Sequence, residues 1–302
     1  MKLRYFDISW ISSVDGPGTR VVLYLQGCHL RCSWCHSPQS WKIESPLLFF
    51  ENRCQSCGNC VEVCSNRVHH ISDGIHSLDR NNCNQCGACI KSCPVSDVNK
   101  WNTGALGFAG KEMDVNELYQ LLKPQLDLLK SIGGITISGG DPLLQSIALR
   151  ELLKLCKQDD IHITVETSAS LDKSHIEVLL PYVDHWLIGL RPSFIDKEND
   201  WEQVLKNVTF LAVSNSKKIT IRTPIIPGYT NTEECHDKIK EVMLANEIQS
   251  IEILPFNPFS ENYYKAMGIL FPLEGVRFTE GNEMNQIKNF FISAGIKATV
   301  VA

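Results

Sequence analysis

The chain is organised around the stretch Gly27-Cys28-His29-Leu30-Arg31-Cys32-Ser33-Trp34-Cys35-His36 near its start. Three cysteines in it, Cys28, Cys32 and Cys35, have the spacing C-x3-C-x2-C. A cubane iron–sulfur cluster has four irons and usually takes four cysteine thiolates. Three thiolates in one loop leave one iron without a protein ligand, and an open coordination position is where a metal site performs chemistry. The loop therefore predicts a catalytic [4Fe-4S] cluster.

Composition limits the classes of partner and the location. The 302 residues are 43% hydrophobic and carry a formal net charge of −5, which gives no strong field toward nucleic acid or acidic membranes. The length predicts about two domains. No apolar run approaches the roughly 18 residues of a membrane-spanning helix, and the first residues lack the long apolar region of a signal peptide. We therefore expect a cytoplasmic protein that binds neither nucleic acid nor membrane.

Eleven of the thirteen cysteines lie between Cys28 and Cys93. In a reducing compartment, clustered cysteines indicate metal or redox chemistry. Two runs with the spacing C-x2-C-x2-C-x3-C form an internal repeat, and this is the spacing of two-cluster bacterial ferredoxins. There the fourth cysteine of each run ligates the other cluster. The predicted ligand sets are Cys54, Cys57, Cys60 and Cys93 for one cluster, and Cys83, Cys86, Cys89 and Cys64 for the other.

The segment with these runs is predicted to be a separate insert at residues 47–100, with residues 1–46 and 101–302 forming a discontinuous second domain. Zinc is the alternative metal, but it needs fewer cysteines per site and usually takes them as C-x2-C pairs. Two complete ferredoxin runs favour two [4Fe-4S] clusters. Because the insert has few core residues, we expect it to unfold without metal. We expect His69 and His70 on its surface.

Outside the insert, predicted strands and helices alternate. The strands are predicted at residues 20–27, 135–138, 162–166, 185–190, 218–225 and 250–255, with a short last strand at 297–301. The helices are predicted at residues 114–130, with Asp114 as N-cap, and at 143–157, 172–180, 200–214, 231–246 and 280–294. This alternation predicts an α/β fold with a parallel sheet covered on both faces. Six strands before the last one fit either a partial barrel or a doubly wound sheet. In both folds active residues gather at the carboxyl ends of the strands.

The cysteine loop after the first strand, with Gly139-Gly140-Asp141-Pro142 after the second, resembles the radical S-adenosylmethionine superfamily. With Asp15-Gly16-Pro17-Gly18 ahead of that loop and the two-run insert behind it, nearly the whole chain resembles the activating enzymes of glycyl radical enzymes. Within them it is similar to the type with a two-cluster insert, rather than to the short pyruvate formate-lyase activase. The resemblance implies a partial (β/α)6 TIM-like barrel with an inserted bacterial-ferredoxin-like domain.

The resemblance also implies the reaction. The open iron binds S-adenosylmethionine, the reduced cluster cleaves it, and a 5′-deoxyadenosyl radical abstracts hydrogen from a backbone glycine of a partner enzyme. The implied cofactors are three [4Fe-4S] clusters and S-adenosylmethionine. The implied partners are a glycyl radical enzyme, which docks on the loop Asp15, Gly16, Pro17 and Gly18, and a flavodoxin- or ferredoxin-type reductant. We expect a monomer.

By position, the resemblance assigns roles around S-adenosylmethionine. Trp34 and His36 are implied to flank the adenine, and Arg191 to hold the carboxylate. Gly189 stands where the short activase has an aspartate that helps to bind a monovalent cation. The full implied set of cofactor-binding residues is Trp34, His36, Gly139, Gly140, Asp141, Glu166, Gly189, Arg191, Arg222 and Asn257.

Two other functions fit parts of the sequence. A radical enzyme acting on a small molecule or RNA can carry auxiliary clusters, but such enzymes usually carry them after the barrel, whereas this insert directly follows the cysteine loop. A ferredoxin-like electron carrier would explain the insert alone. It would leave the open-site loop and the β/α segment without a purpose.

Overall fold

The computed structural model describes residues 1–96, 104–192, 201–256 and 258–301. Its strands are β1 (Lys2–Ser12), β2 (Thr19–Leu25), β3 (Leu47–Phe49), β4 (His69–Ser72), β5 (Ile75–Leu78), β6 (Leu106–Phe108), β7 (Lys111–Asp114), β8 (Gly133–Gly139), β9 (His162–Thr167), β10 (His185–Gly189), β11 (Ile219–Ile225), β12 (Ser250–Pro255) and β13 (Lys297–Val300). Its helices are α1 (Asn59–Val63), α2 (Ala88–Ser92), α3 (Val115–Leu129), α4 (Ser146–Gln158), α5 (Lys173–Leu179), α6 (Trp201–Asn215), α7 (Glu233–Ala245), α8 (Glu261–Met267) and α9 (Gly281–Ser293).

Among the described residues, one sheet of nine strands organises the fold, in the order β13-β12-β11-β10-β9-β8-β2-β1-β7. Every neighbouring pair from β2 to β13 is parallel. β1 and β7 extend the sheet antiparallel beyond β2. Because parallel strands run the same way, the carboxyl ends of β2 and of β8 to β12 meet at one edge. The predicted α/β fold with a parallel sheet is confirmed.

The central strands are buried on both faces, which explains why their sequences are continuous apolar runs instead of alternating ones. In β2 the successive side chains of Val21, Val22 and Leu23 are all fully buried. Helix α3 covers this part of the sheet, and Asp114 begins it as predicted: its side chain accepts a hydrogen bond from Asn116 N at 2.9 Å. Within the described part of the chain, no helix has the length and apolar character needed to cross a membrane.

Besides the short elements of the cysteine-rich segment and its ends, β1, β7 and α8 were not predicted from the sequence. β1 and β7 pair with each other at the sheet edge, where Lys2 lies opposite Asp114. Pairing over that distance has no local signal, and exposed positions interrupt the apolar pattern of β1. The seven residues of α8 were not predicted to form a helix.

The cysteine-rich segment is built from short elements. Helices α1 and α2 have five residues each, and β4 and β5 form an antiparallel hairpin. At the two ends of the segment, β3 pairs with β6, and Leu47 lies opposite Phe108. The predicted boundary at residues 100 and 101 lies outside the described residues.

Candidate active site

The cysteine loop leaves the carboxyl end of β2 and folds back on itself. Gly27 N donates to Ser40 O at 2.7 Å, and Cys28 N donates to Trp41 O at 3.1 Å. Inside the loop, Cys35 N donates to Cys32 O at 3.0 Å. Its three cysteines pack in a small apolar cluster whose other buried members are Leu30, Trp34, Ile226, Phe256 and Leu273. The loop therefore holds three thiols in one apolar pocket at the edge where the parallel strands end.

The chemistry of this donor set fits an iron–sulfur cluster. Burial raises the pKa of the Cys28 and Cys35 thiols above the usual range, so both are neutral until a metal displaces their protons. The indole Nε1 of Trp34 is buried and has no hydrogen-bond partner among the described residues. Cluster sulfurs accept hydrogen bonds. Three thiols with an unpaired donor beside them therefore suit a [4Fe-4S] cluster.

Gly139 and Gly140 allow the end of β8 to approach the end of β2. Gly139 has a φ of +114°, and a Cβ there would lie 2.4 Å from Leu25 N. A Cβ on Gly140 would lie 2.1 Å from Gly27 O. Gly140 N donates to Leu25 O at 2.9 Å. Both glycines thus serve a close backbone contact with the start of the cysteine loop.

The Asp141 carboxylate is fully occupied within the chain. Oδ1 accepts from Leu143 N at 3.1 Å and from Thr167 Oγ1 at 2.8 Å. Oδ2 accepts from Ser168 N at 3.1 Å and from Ser168 Oγ at 2.5 Å. Asp141 is 1% exposed. It therefore fastens the loop after β8 to the loop after β9.

Arg222 on β11 joins three carboxylates. Its guanidinium lies 3.2 Å from Asp15 Oδ1, 3.0 Å from Glu166 Oε1 and 2.7 Å from Glu252 Oε2, and it also donates to Val14 O. Arg222 is buried. One guanidinium facing three carboxylates leaves a surplus of negative charge here, and its donors are engaged by the chain itself.

Glu166 on β9 stays ionised in this cluster. Burial by itself raises the pKa of Glu166, but the Arg222 guanidinium and a hydrogen bond from Ser138 outweigh it, so the pKa lies below its usual value. Ser138 Oγ donates to Glu166 Oε2 at 2.7 Å. The carboxylate is thus fixed between β8 and β11.

Arg191, Gly189 and His36 lie in the same cleft. A Cβ on Gly189 would lie only 2.9 Å from Arg191 Nη2, so the guanidinium takes the space that a side chain at 189 would need. Burial by itself lowers the pKa of Arg191. The neighbouring Cys32 and Glu166 outweigh burial, so the pKa of Arg191 lies above its usual value. His36 is exposed to the cleft, whose protein walls lower its pKa despite the nearby carboxylate of Glu166. Asn257 lies outside the described residues.

The Asp15–Gly18 loop leads into the amino end of β2, contacts Arg222 through Asp15 and is held firmly. Gly18 has a φ of +75°, and a Cβ there would lie 2.0 Å from Ile132 O. The fully buried Arg20, which the sequence analysis did not single out, donates to Pro17 O at 2.7 Å and to Thr136 Oγ1 at 2.7 Å. Pro17 itself is exposed.

The cysteines of the insert line two cavities. The first is lined by Cys54, Cys57, Cys60 and Cys93, and the second by Cys64, Cys83, Cys86 and Cys89. The structure thus brings the cysteines together in the two sets of four that the spacing assigns. Burial raises the pKa of Cys60 to about 11 and that of Cys89 to about 12.

The expectation that His69 lies on the surface is wrong. His69 is 2% exposed, whereas His70 is exposed. Both are on β4, where neighbouring side chains point to opposite faces, so only one of the two can face inward. On β5 His76 is buried as well, and ligand atoms of Cys60, His69 and His76 lie within 4.8 Å of one another.

Helix α8 contacts both the cysteine loop and the insert. Tyr264 is fully buried, donates from its hydroxyl to Cys35 O at 3.0 Å and stacks edge-on against Trp41. Two residues on, Ala266 O accepts from Arg80 Nη2 at 2.8 Å. Arg80 lies just ahead of the second cysteine run. The contact of Tyr264 with the loop was not predicted from the sequence.

Comparisons with known proteins agree with this site. A family model described as a 4Fe-4S single cluster domain matches residues 14–206, which is more than half of the chain. The chain is 32% identical to the benzylsuccinate synthase activating enzyme of Thauera aromatica, over 97% of this chain and 91% of that protein. It is 30% identical to the choline trimethylamine-lyase activating enzyme of Oleidesulfovibrio alaskensis, over 91% and 90%. It is 29% identical to the 4-hydroxyphenylacetate decarboxylase activating enzyme of Clostridioides difficile, over 98% and 95%.

Proposed function

Because the chain belongs to the family of radical S-adenosylmethionine activating enzymes of glycyl radical enzymes, we propose that it activates one such enzyme by abstracting hydrogen from a backbone glycine. The observation that carries the proposal is the loop of Cys28, Cys32 and Cys35. Its three thiols share one apolar pocket at the carboxyl edge of the parallel sheet. The sequence offers no fourth cysteine in that loop, so one iron is left for substrate.

In this proposal each residue of the cleft has its own role. When bound at Cys28, Cys32 and Cys35, the cluster would supply the electron that reductive cleavage of S-adenosylmethionine requires, and hydrogen abstraction from the partner's glycine would follow. Trp34 and His36 bind the adenosine side, Arg191 binds the carboxylate, and the neighbouring apolar side chains keep water away from the thiols. Gly139 and Gly140 set the distance between the cleft walls.

Two of the cofactor-binding residues have positioning roles in this proposal. The oxygens of Asp141 already accept four hydrogen bonds within the chain. Arg222 is engaged by three carboxylates and a carbonyl. These contacts favour holding the cleft walls in register over direct contact with S-adenosylmethionine. Asn257 and Gly189 complete the proposed set of cofactor-binding residues. The guanidinium of Arg191 lies beside Gly189 and supplies positive charge there.

The proposal extends to the architecture. Residues 1–46 and 101–302 would form a partial (β/α)6 barrel, because the strand order from β2 to β13 follows the chain without the reversal of a doubly wound sheet. Residues 47–100 would form a ferredoxin-like domain with two further [4Fe-4S] clusters. The two four-cysteine cavities support this assignment.

For the partner, we propose that the glycine loop of the glycyl radical enzyme docks on Asp15, Gly16, Pro17 and Gly18. The loop is tied to the cleft through Arg222, and Pro17 is exposed at its tip. A flavodoxin- or ferredoxin-type protein would supply the electrons. A monomer suits docking to a larger enzyme.

The test is S-adenosylmethionine cleavage by the iron-reconstituted protein under anaerobic conditions with a chemical reductant. We expect 5′-deoxyadenosine and methionine. Cys28→Ala should abolish both and keep about two thirds of the iron, since two of three clusters remain. Cys156→Ala, a buried cysteine on α4 outside all three ligand sets, is the control and should keep turnover. An iron-loaded wild-type protein that forms no 5′-deoxyadenosine contradicts the proposal.

A further inference from the structure

Two buried histidines connect the two cavities of the insert. His76 lines the first cavity and His69 lines the second. His69 Nδ1 lies 3.1 Å from His76 Nε2, which is hydrogen-bond distance. Their side chains are 2% and 6% exposed. The imidazole pair is therefore a hydrogen-bonded bridge from one four-cysteine cavity to the other.

The outer nitrogens of the pair face the two cavities differently. His76 Nδ1 lies 3.4 Å from Cys54 Sγ, within the range of hydrogen bonds to sulfur. Cys60 Sγ is farther away, at 3.7 Å from His76 Nε2. His69 Nε2 is buried and has no hydrogen-bond partner among the described residues. In the first cavity, Cys54 Sγ is thus a hydrogen-bond partner for His76 Nδ1. In the second cavity, His69 Nε2 has no such partner among the described residues.

The two neutral imidazoles have only enough protons for the pair to donate into one cavity. A neutral imidazole has one N–H and one acceptor nitrogen. One of the two protons is used in the bond between His69 and His76, so a single N–H remains for one end. A thiolate bound to iron can only accept, so a proton on His76 Nδ1 satisfies Cys54. A third proton would place a charge in a buried site where the ring centroid of Phe49 lies 4.4 Å from that of His76.

We propose that the His69–His76 pair donates its one N–H to Cys54 and thereby raises the reduction potential of the first insert cluster alone. The inference rests on the proposed function, because it requires both insert clusters. Reduction adds negative charge that spreads onto the sulfurs, and an N–H donor stabilises the reduced form; hydrogen bonds to sulfur are one of the factors that set cluster potentials. The two clusters, equal in cysteine spacing, are made unequal by this pair.

The first test is a redox titration followed by electron paramagnetic resonance on the full-length chain. Replacing Cys28, Cys32 and Cys35 by Ala leaves only the insert clusters. In this background His76→Phe should lower one midpoint potential by about 59 mV, a tenfold change in the ratio of reduced to oxidised cluster at a fixed ambient potential. The midpoint potential of the other insert cluster should change by only a small fraction of that shift.

Three further variants separate the hydrogen bond from general disruption. His70→Phe, on the same hairpin but exposed, is the matched control and should shift neither midpoint. His76→Gln keeps an N–H donor and should recover part of the potential. His69→Phe removes the donor that holds His76 in the Nδ1–H tautomer, so the same midpoint should fall by a smaller amount. Equal shifts in His70→Phe and His76→Phe would overturn the inference.

A second measurement needs no substitution at the pair. Protein labelled with ¹⁵N-histidine should show ¹⁵N hyperfine coupling to a reduced insert cluster in pulsed electron paramagnetic resonance. Iron content separates the possible failures. About eight irons per chain in the triple-alanine background with neither coupling nor a shift overturns the inference and leaves the insert assignment standing. About four irons or fewer overturns the insert assignment, and the inference with it.

Discussion

Arg222 joins parts of the site that lie far apart in sequence. Its partner Asp15 is 207 positions away, Glu166 is 56 away and Glu252 is 30 away. Motif spacing predicted the cysteines because each run of cysteines lies within a short stretch of sequence. No spacing rule connects an arginine with three distant carboxylates, so the sequence predicted Arg222 as a site residue but not its ion pairs. The same holds for Asp141 and the donors on the loop after β9.

Arg222→Met should strongly destabilise the protein. It leaves three carboxylates around a buried position without their cation, and breaking a buried ion pair by removing one partner costs about 3–5 kcal/mol. The thermal midpoint of the reconstituted protein, measured anaerobically, reports the loss. Arg277→Met is the control, since Arg277 pairs with Glu283 at an exposed site, and its midpoint should change far less. Equal changes in the two variants would show that the Arg222 cluster adds no stability.

The loss of thermal stability in Arg222→Met should also depend on pH. In the wild type the folded-state pKa of Glu166 lies below its usual value, so its contribution to stability is present above the unfolded pKa of about 4.3 and is lost as the pH falls through the folded pKa. Without the guanidinium, burial raises that pKa, and the carboxyl takes up a proton at higher pH. The difference in thermal midpoint between wild type and variant should therefore shrink from about pH 8 to about pH 5. A constant difference would contradict this assignment.

At the scale of elements, the parallel strands and their helices were predictable because both have a local pattern. The strands are apolar runs, and the helices have periodic apolar faces with caps such as Asp114. β1 and β7 were not predictable, since their pairing joins residues about a hundred positions apart. The burial of His69 was missed because its hairpin has only four residues per strand. Alternation with His70 was the signal that could have indicated it.

The Asp15–Gly18 loop should affect activation more than S-adenosylmethionine cleavage. Pro17 is exposed, so Pro17→Glu changes the proposed docking surface without disturbing the buried contacts of Asp15 and Arg20. We expect several-fold less glycyl radical in the partner, with 5′-deoxyadenosine formation in its absence unchanged. The control is Val213→Glu, at an exposed position on α6. If both yields fall together in Pro17→Glu, the loop supports the cleft and not docking.

Removing iron should unfold the insert and leave the sheet folded. The helices of the insert, α1 and α2, are only five residues long. The apolar core of the insert is a small cluster in which cysteines are prominent. Structural metal sites contribute folding free energy directly. After chelation, limited proteolysis should cut within residues 47–96, while the β/α segment from residue 104 onward resists. An insert that resists protease equally with and without iron would contradict the role given to the clusters.

At the scale of the whole molecule, the cysteine loop leaves the carboxyl edge of the parallel sheet, and the Asp15–Gly18 loop, which precedes β2, reaches the Arg222 cluster through Asp15. Helix α8 contacts the cysteine loop through Tyr264 and the insert through Arg80. The sequence predicted that the strand ends converge, because all parallel strands end at the same edge. It did not predict how the insert is attached, since that contact joins residues 186 positions apart.

Hydrogen transfer from the partner can be followed with an isotope. A glycyl radical enzyme from the same genome is produced with α-deuterated glycine and incubated anaerobically with the reconstituted protein, S-adenosylmethionine and reductant. We predict a glycyl radical signal in the partner and one deuterium in the 5′-deoxyadenosine. Unlabelled 5′-deoxyadenosine together with a radical-free partner, repeated for every glycyl radical enzyme of that genome, would contradict the assignment as an activating enzyme.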